Sequence, residues 1–400
     1  MIKKKIFGLD RNVKTVGFVS LFMDISSEMI YPLVPLFLAT VMGVSKSVIG
    51  IIEGVSEATA SLLKVFSGYF SDRIGNRKWL MVLGYGISTL SRPIVALSTL
   101  WQHVLIGRFV DRFGKGIRTS PRDAIIAEST DGATLGKAFG FHRSMDTLGA
   151  VVGPTIAFGL LAFFANDFRV VFWLSMIPGV IAVLLIIVFI KEKDRQTAPT
   201  AQRPKLTWNH FNWRFKGFVI IMTLFAIGNS SDVFLILRAQ QSGVSTTIIP
   251  LLYLTFTVAY TLTAMPAGIV ADRFGKKRVI LVGLILFALV YLGFAVFVTS
   301  IMVWVLFGLY GLFMGITEGV NKAFLGTIIP PEFKATAFGI YNTCIGLALL
   351  PASMIAGLLW DKVSPSAPFY FGSFTATLCS ILFLIYIMVF TKRQKEERRL

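Results

Sequence analysis

Long apolar runs alternate with short polar breaks from one end of the chain to the other. Each run holds about 20 residues, the length an α-helix needs to cross a hydrocarbon core of roughly 30 Å. A membrane β-barrel would show short alternating segments instead. The pattern predicts twelve helical spans, at 15–39, 47–69, 79–98, 101–125, 138–164, 168–190, 216–237, 246–270, 279–299, 302–326, 335–359 and 367–391. One long polar gap interrupts them, "KEKDRQTAPTAQRPKLTWNHFNWRFK", Lys191–Lys216. It carries prolines and charge with little apolar periodicity, so it reads as a linker. The expected fold class is all-α: a polytopic membrane protein with an N-terminal six-helix bundle over 1–190, a cytoplasmic linker over 191–215 and a C-terminal six-helix bundle over 216–400.

The two halves repeat. "GYFSDRIGNRK" at Gly68–Lys78 returns as "GIVADRFGKKR" at Gly268–Arg278, an offset of 200 residues. "SSE" at Ser26–Glu28 in the first span matches "SSD" at Ser230–Asp232 in the seventh, and "AFGFHR" at Ala138–Arg143 matches "AFGIYN" at Ala337–Asn342. An even number of helices per half makes the repeats parallel, related by an axis along the membrane normal.

Composition agrees with a membrane class. Of 400 residues, 55% are hydrophobic and only 15% charged, against roughly 25% charged in soluble domains. The net charge of +18 raises the question of nucleic acid, but its distribution answers it. With the N-terminus inside, the inner loops hold Lys3, Lys4, Lys5, Arg73, Arg77, Lys78, Arg273, Lys276, Lys277, Arg278 and the tail "TKRQKEERRL"; the outer loops hold only Lys46, Arg169, Arg238 and Lys362. That asymmetry predicts both termini in the cytoplasm of an inner or plasma membrane. No cleavable signal peptide is expected, because the first apolar run is too long and lacks a small-residue cleavage site. Cys344 and Cys379 both lie in apolar spans, which argues against a disulfide or a metal site.

The charged turns carry a resemblance. Gly68, Asp72, Arg73, Gly75, Arg77 and Lys78, with Gly268, Asp272, Arg273, Gly275, Lys277 and Arg278, resemble the cytoplasmic loop motif of the major facilitator superfamily, present here in both halves. The resemblance implies a twelve-helix transporter with two pseudo-symmetric bundles. It also implies that the turns form a cytoplasmic gate: Gly68, Asp72, Arg73 and Gly75 on one side, Asp272, Arg273 and Gly275 on the other. In the fifth span, Gly140, Gly149, Gly153 and Pro154 are similar to the antiporter motif of drug–proton exchangers. "YPLVPLF", with Pro32 and Pro35, also looks like the drug-exporter group.

Ionisable residues inside the membrane are functional candidates, because each costs roughly 3 kcal/mol or more at the bilayer centre. The first half holds seven acids (Asp24, Glu28, Glu53, Glu57, Asp111, Asp123, Asp146) against eight bases. Asp24 and Glu28 lie four residues apart, on one helix face. Arg108, Asp111, Arg112, Lys115, Arg118 and Arg122 form a charged stripe on the fourth span. In the resembled fold, spans 1, 4, 7 and 10 line the central cavity. Asp24 and Glu28 are expected opposite Arg118 and Arg112, where loss of an Arg partner would let a carboxylate take a proton. Asp232 and Glu318 are further proton-coupling candidates. Arg112, Arg118, Arg122, Glu53, Glu57, His142, Arg143 and Asp146 are candidates for substrate or ion-pair contacts, and His142 for proton relay.

The expected function is secondary active transport of a small solute by alternating access, as proton-coupled efflux or, alternatively, as proton-driven import or exchange of a small organic anion, metabolite or siderophore. The arginines favour an anion, because guanidinium pairs with carboxylate and phosphate bidentately. Expected partners are a small-molecule substrate, protons and the lipid bilayer, with no nucleic acid, and the chain is expected to act as a monomer. The sequence carries no nucleophile triad, phosphate loop or metal-ligand cluster, so no enzyme activity, cofactor or metal is expected.

Overall fold

The computed structural model describes residues 9–74, 76–130, 134–191, 211–297, 299–329 and 334–397, with side chains omitted over 64–74, 334–336 and 390–397. Twelve helical segments follow one another: α1 Arg11–Val41, α2 Lys46–Ile74, α3 Arg77–Ala96, α4 Trp101–Glu128, α5 Leu135–Phe163, α6 Phe168–Phe189, α7 Trp213–Gln241, α8 Ile249–Phe274, α9 Lys276–Val296, α10 Ser300–Thr327, α11 Lys334–Lys362 and α12 Ala367–Glu397. Each coincides with one of the spans read from the sequence. Among the described residues, nine are long and apolar enough to cross a membrane by composition alone. The other three are α2, α3 and α4, whose charges lower their hydropathy.

Two first helices of the repeat are broken at corresponding places. In α1 the α-helix Arg11–Ile30 stops before Pro32, and a π-helical turn, Phe37–Val41, follows Pro35. In α7 the helix Trp213–Gly228 stops at "NSSD", and Val233–Gln241 resumes. Proline removes a backbone donor and clashes with the preceding turn. Asn, Ser and Asp offer the backbone side-chain partners in place of helix. Such paired interruptions are where transporters of this construction place their sites.

The chain folds into two compact units. One comprises Met1–Val44, Val55–Thr200 and Ser245–Leu254. Its core gathers Val13, Val16, Val19 and Met23 of α1, Met81 and Tyr85 of α3, Ile125 and Ile126 of α4, and Ala182 and Ile186 of α6. Thr247 anchors the third segment by donating to Asn166 Oδ1 at 2.7 Å. Without a strong hydrophobic drive between helices in lipid, close packing carries association. The α5 glycines show it. A Cβ on Gly149 would meet the Leu21 carbonyl oxygen at 2.7 Å and the Asp24 Cβ at 2.8 Å, and one on Gly153 would meet the Glu28 Cβ at 2.9 Å.

The other unit comprises Ser45–Gly54, Ala201–Val244 and Thr255–Leu400. Aromatic rings dominate its interior: Phe287 stacks on Tyr291 at 4.0 Å, and Phe225 and Phe313 meet Phe287 edge-on at 4.8 and 4.9 Å. Such geometry matches ring quadrupoles. The first turn of α2 is fastened here by Asp361 of α11. Its carboxylate accepts from Ser47 N at 2.7 Å, Ser47 Oγ at 2.6 Å and Lys46 N at 3.2 Å. That is an N-cap supplied from another helix.

Candidate functional site

Within the first unit, α1, α3, α4 and the start of α8 enclose a cavity of about 210 Å³. Three carboxylates line it (Asp24, Glu28, Asp111) and five cationic side chains (Arg92, Arg108, Arg112, Lys115, Arg118), with Ser27, Tyr31 and Tyr253 completing the polar wall. Helical spacing explains the gathering: positions 108, 111, 112, 115 and 118 fall on one face of α4, and 24, 27, 28 and 31 on one face of α1.

The cations are held differently. Arg92 is 1% exposed and spends its guanidinium on fixed partners. It donates to Asp111 Oδ1 at 3.0 Å, Ser91 Oγ at 2.7 Å, Ser27 Oγ at 2.9 Å and Ser26 Oγ at 3.3 Å. Arg112 lies 2.7 Å from Glu57 Oε1 and 3.5 Å from Asp111 Oδ2. A buried charge needs this kind of pairing to offset desolvation. Arg108 sits 5.5 Å from the Tyr31 ring centroid, and Tyr31 packs 5.4 Å from Tyr253. Arg118 rests its guanidinium 4.4 Å above the Tyr85 ring, a cation–π contact. Arg118 is buried, and its Nη1 has no hydrogen-bond partner among the described residues.

The expected quartet of Asp24, Glu28, Arg112 and Arg118 therefore lines one cavity, and Arg112 also pairs with Glu57 and Asp111. Arg122, expected on the same stripe, lies outside the lining and pairs with its neighbour Asp123 at 2.9 Å. Glu53 is buried and belongs to the α2 segment grouped with the second unit. Arg143 is exposed on α5.

Buried His142 and partly buried Asp146 form a second polar group against α1. Ser20 Oγ and His142 Nε2 share a hydrogen bond of 2.7 Å, and His142 Nδ1 lies 3.6 Å from Asp146 Oδ2. Ser20 precedes Asp24 by one helical turn, so the two groups share a face of α1. Of the α5 motif, Gly149 and Gly153 seat that helix against Asp24 and Glu28, Gly140 faces open space, and Pro154 is buried.

In the second unit two acids, Asp232 and Glu318, accept from tyrosine hydroxyls. Tyr310 donates to Asp232 Oδ1 at 2.7 Å, and Tyr260 to Glu318 Oε2 at 2.6 Å, with Lys322 Nζ 2.9 Å from Glu318 Oε1. Asp232 closes the break in α7. In the second charged turn, Asp272 pairs with Lys276 at 2.7 Å, Arg273 is exposed, and Gly275 has φ +97°, a conformation glycine adopts without strain. The gate candidates of the first turn, Gly68, Asp72, Arg73 and Gly75, lie outside the described residues and side chains, as does most of the linker.

Sequence reading gave less weight to Tyr31, Ser27, Arg92 and Tyr253. The break at Tyr31-Pro32 was the available signal for the first two. Tyr253 enters through a tertiary approach that no local pattern encodes.

Comparison with known proteins places the architecture. The Major Facilitator Superfamily profile matches residues 16–237 and 217–400. An uncharacterized MFS-type transporter of Methanocaldococcus jannaschii is 37% identical over 386 residues, covering 94% of this chain and 95% of its own. A probable 4-methylmuconolactone transporter of Cupriavidus pinatubonensis is 28% identical over 200 residues, 49% of this chain and 46% of its own. The crystal structure of a POT family transporter in complex with 5-aminolevulinic acid has a TM-score of 0.79 at 13% identity, covering 98% of each chain, which speaks to the fold. With profile matches spanning both halves and a near full-length relative, the chain belongs to the Major Facilitator Superfamily and is a multi-pass membrane transporter, not an enzyme.

Proposed function

We propose that this transporter couples the movement of a small anionic solute to that of protons across the inner or plasma membrane, with both termini in the cytoplasm. The carrying observation is the α1–α4 cavity, where five cationic side chains meet three carboxylates and the buried Arg118 keeps Nη1 without a hydrogen-bond partner among the described residues. Arg92 and Arg112 are engaged by Asp111 and Glu57. A carboxylate or phosphoryl group would be received by Arg118, with Arg108 and Lys115 flanking. Asp24 and Glu28 share that cavity. An anion that draws the cations away from them makes the protonated carboxyl the cheaper state, and the departing anion restores the ion pairs. That is the coupling in outline.

Export is the direction favoured by the α5 resemblance to drug–proton exchangers. Proton-driven import or exchange of an organic anion is the second reading, favoured by the same arginines and by the joint binding of anion and proton argued above. The relative named as a probable 4-methylmuconolactone transporter is compatible with a small organic solute in either reading. The test is a panel of organic anions and cationic drugs in proteoliposomes, with pH gradients imposed in both directions. Saturable, gradient-dependent movement of an anion supports the proposal, and the productive gradient gives the direction. Movement of cationic drugs with no anion moved would overturn it.

A further inference from the structure

A polar chain leads toward Asp24 from one end of the first unit. Its links are Asp146 and His142 of α5 and Ser20 of α1. His142 is 5% exposed and Ser20 2%, and His142 Nε2 lies 2.7 Å from Ser20 Oγ. His142 Nδ1 lies 3.6 Å from Asp146 Oδ2. The imidazole therefore stands between a hydroxyl on one nitrogen and a carboxyl on the other. Ser20 and Asp24 are one turn apart, about 6 Å along the helix, where side chains of one face meet. Gly149, three residues after Asp146, closes the seam, because a Cβ there would meet the Asp24 Cβ at 2.8 Å.

The direction of the chain follows from its ends. Asn12 donates to Ser129 Oγ at 3.1 Å and to the Lys191 carbonyl at 2.9 Å, so α1, α4 and α6 finish together there. Ser20 lies eight residues, about 12 Å, inward of Asn12, and Asp24 one turn deeper. The outer acids are partly exposed: the Asp146 side chain by 17% and that of Asp123 by 43%. The charges acting on His142 are Arg122 and Asp123 of α4 with Arg143 and Asp146 of its own helix. Those acting on Asp24 are Asp146, Glu28, Lys115 and Arg118. A route that keeps the imidazole neutral throughout adds no further buried charge to this set.

We infer that Asp146, His142 and Ser20 form a proton wire that loads and unloads Asp24. Toward the cavity, the Asp146 carboxyl gives its proton to His142 Nδ1 as the Nε2 hydrogen passes to Ser20 Oγ. The Ser20 hydroxyl hydrogen moves on to the Asp24 carboxylate. One proton has left Asp146 and one has reached Asp24. The ring and the hydroxyl are neutral before and after, and the ring hydrogen has moved from Nε2 to Nδ1. The reverse sequence unloads Asp24. This wire rests on Asp24 as a site of proton coupling, proposed above, and supplies its route.

The test follows protons alone, by infrared spectroscopy of the full chain in liposomes after a rapid drop in pH. The carboxyl band of Asp24 is the one lost in Asp24→Asn. In Ser20→Ala and in His142→Gln that band reaches the wild-type height about 100-fold more slowly, the scale on which a positioned proton donor acts. A merely structural role would change the height or the unfolding midpoint and leave the rate. Thr155→Val, exposed on α5, keeps the wild-type rate. A wild-type rate in either wire variant would overturn the wire and leave Asp24 as the coupling site. Absence of an Asp24 band from wild type at every pH would overturn the coupling reading and the wire with it. If His142→Gln does not fold, Ser20→Ala, which loses one hydroxyl, decides alone.

Discussion

Arg92 and Arg118 border one cavity on neighbouring helices, yet their surroundings assign them different tasks. Arg92 is saturated by Asp111 and three serine hydroxyls. Removing it leaves Asp111 buried and without its 3.0 Å partner, the contact to Arg112 being longer at 3.5 Å. Breaking a buried pair by deleting one partner costs about 3 kcal/mol or more. Arg92→Met is therefore expected to lower the midpoint of thermal unfolding in detergent by many degrees. Arg118 rests on the Tyr85 ring, a contact of about 0.5–2 kcal/mol, and its Nη1 has no hydrogen-bond partner among the described residues. Arg118→Gln is expected to unfold within a few degrees of wild type while losing at least tenfold in apparent affinity for the solute. Thermal unfolding beside saturation transport measures both. A large stability loss in Arg118→Gln would make it a structural residue like Arg92.

Between helices, the α5 glycines set the register that brings Asp24 and Glu28 to the cavity. Gly149 and Gly153 have backbone or Cβ atoms within 3.0 Å of where their own Cβ would lie, and Gly140 has none within 4 Å. Gly153→Val is expected to cost about 1–3 kcal/mol through overpacking and to slow transport, and Gly140→Ala to be neutral. Comparing their unfolding midpoints and initial rates checks the contrast. The α2 N-terminus gives a second element-scale prediction. Asp361→Ala removes its cap and is expected to cost about 1 kcal/mol, read as a lower unfolding midpoint, with Asp361→Asn intermediate.

How far these elements were legible in the sequence follows from what encodes them. Runs of membrane length between polar breaks mark all twelve helices locally, although among the described residues nine qualify by composition alone. The breaks at Pro32 and at Asn229–Asp232 are also written locally. Pairing is not. The sequence put the acids of α1 opposite the arginines of α4, and all four share a cavity. Arg112 also meets Glu57 of α2 and Asp111 of its own helix, contacts that the helical spacing of the α1 acids does not announce. Tyr310 and Tyr260, which hold Asp232 and Glu318, lie tens of residues away in the chain. An aromatic in an apolar span carries no mark of the carboxylate it will meet.

For the whole molecule, a twelve-helix transporter with two repeated halves works by exchanging alternative arrangements around one site. Energy enters only where a ligand or proton binds those arrangements unequally. The acids of α1 are the proposed entry point. The most direct measurement is transport by Asp24→Asn and Glu28→Gln in proteoliposomes, comparing pH-gradient-driven accumulation with solute counterflow at equal pH. Counterflow needs the cavity and the conformational cycle but no net proton movement. The account predicts that gradient-driven accumulation collapses in at least one of the two variants while counterflow persists. Full gradient dependence in both would contradict it and move proton coupling to another part of the chain.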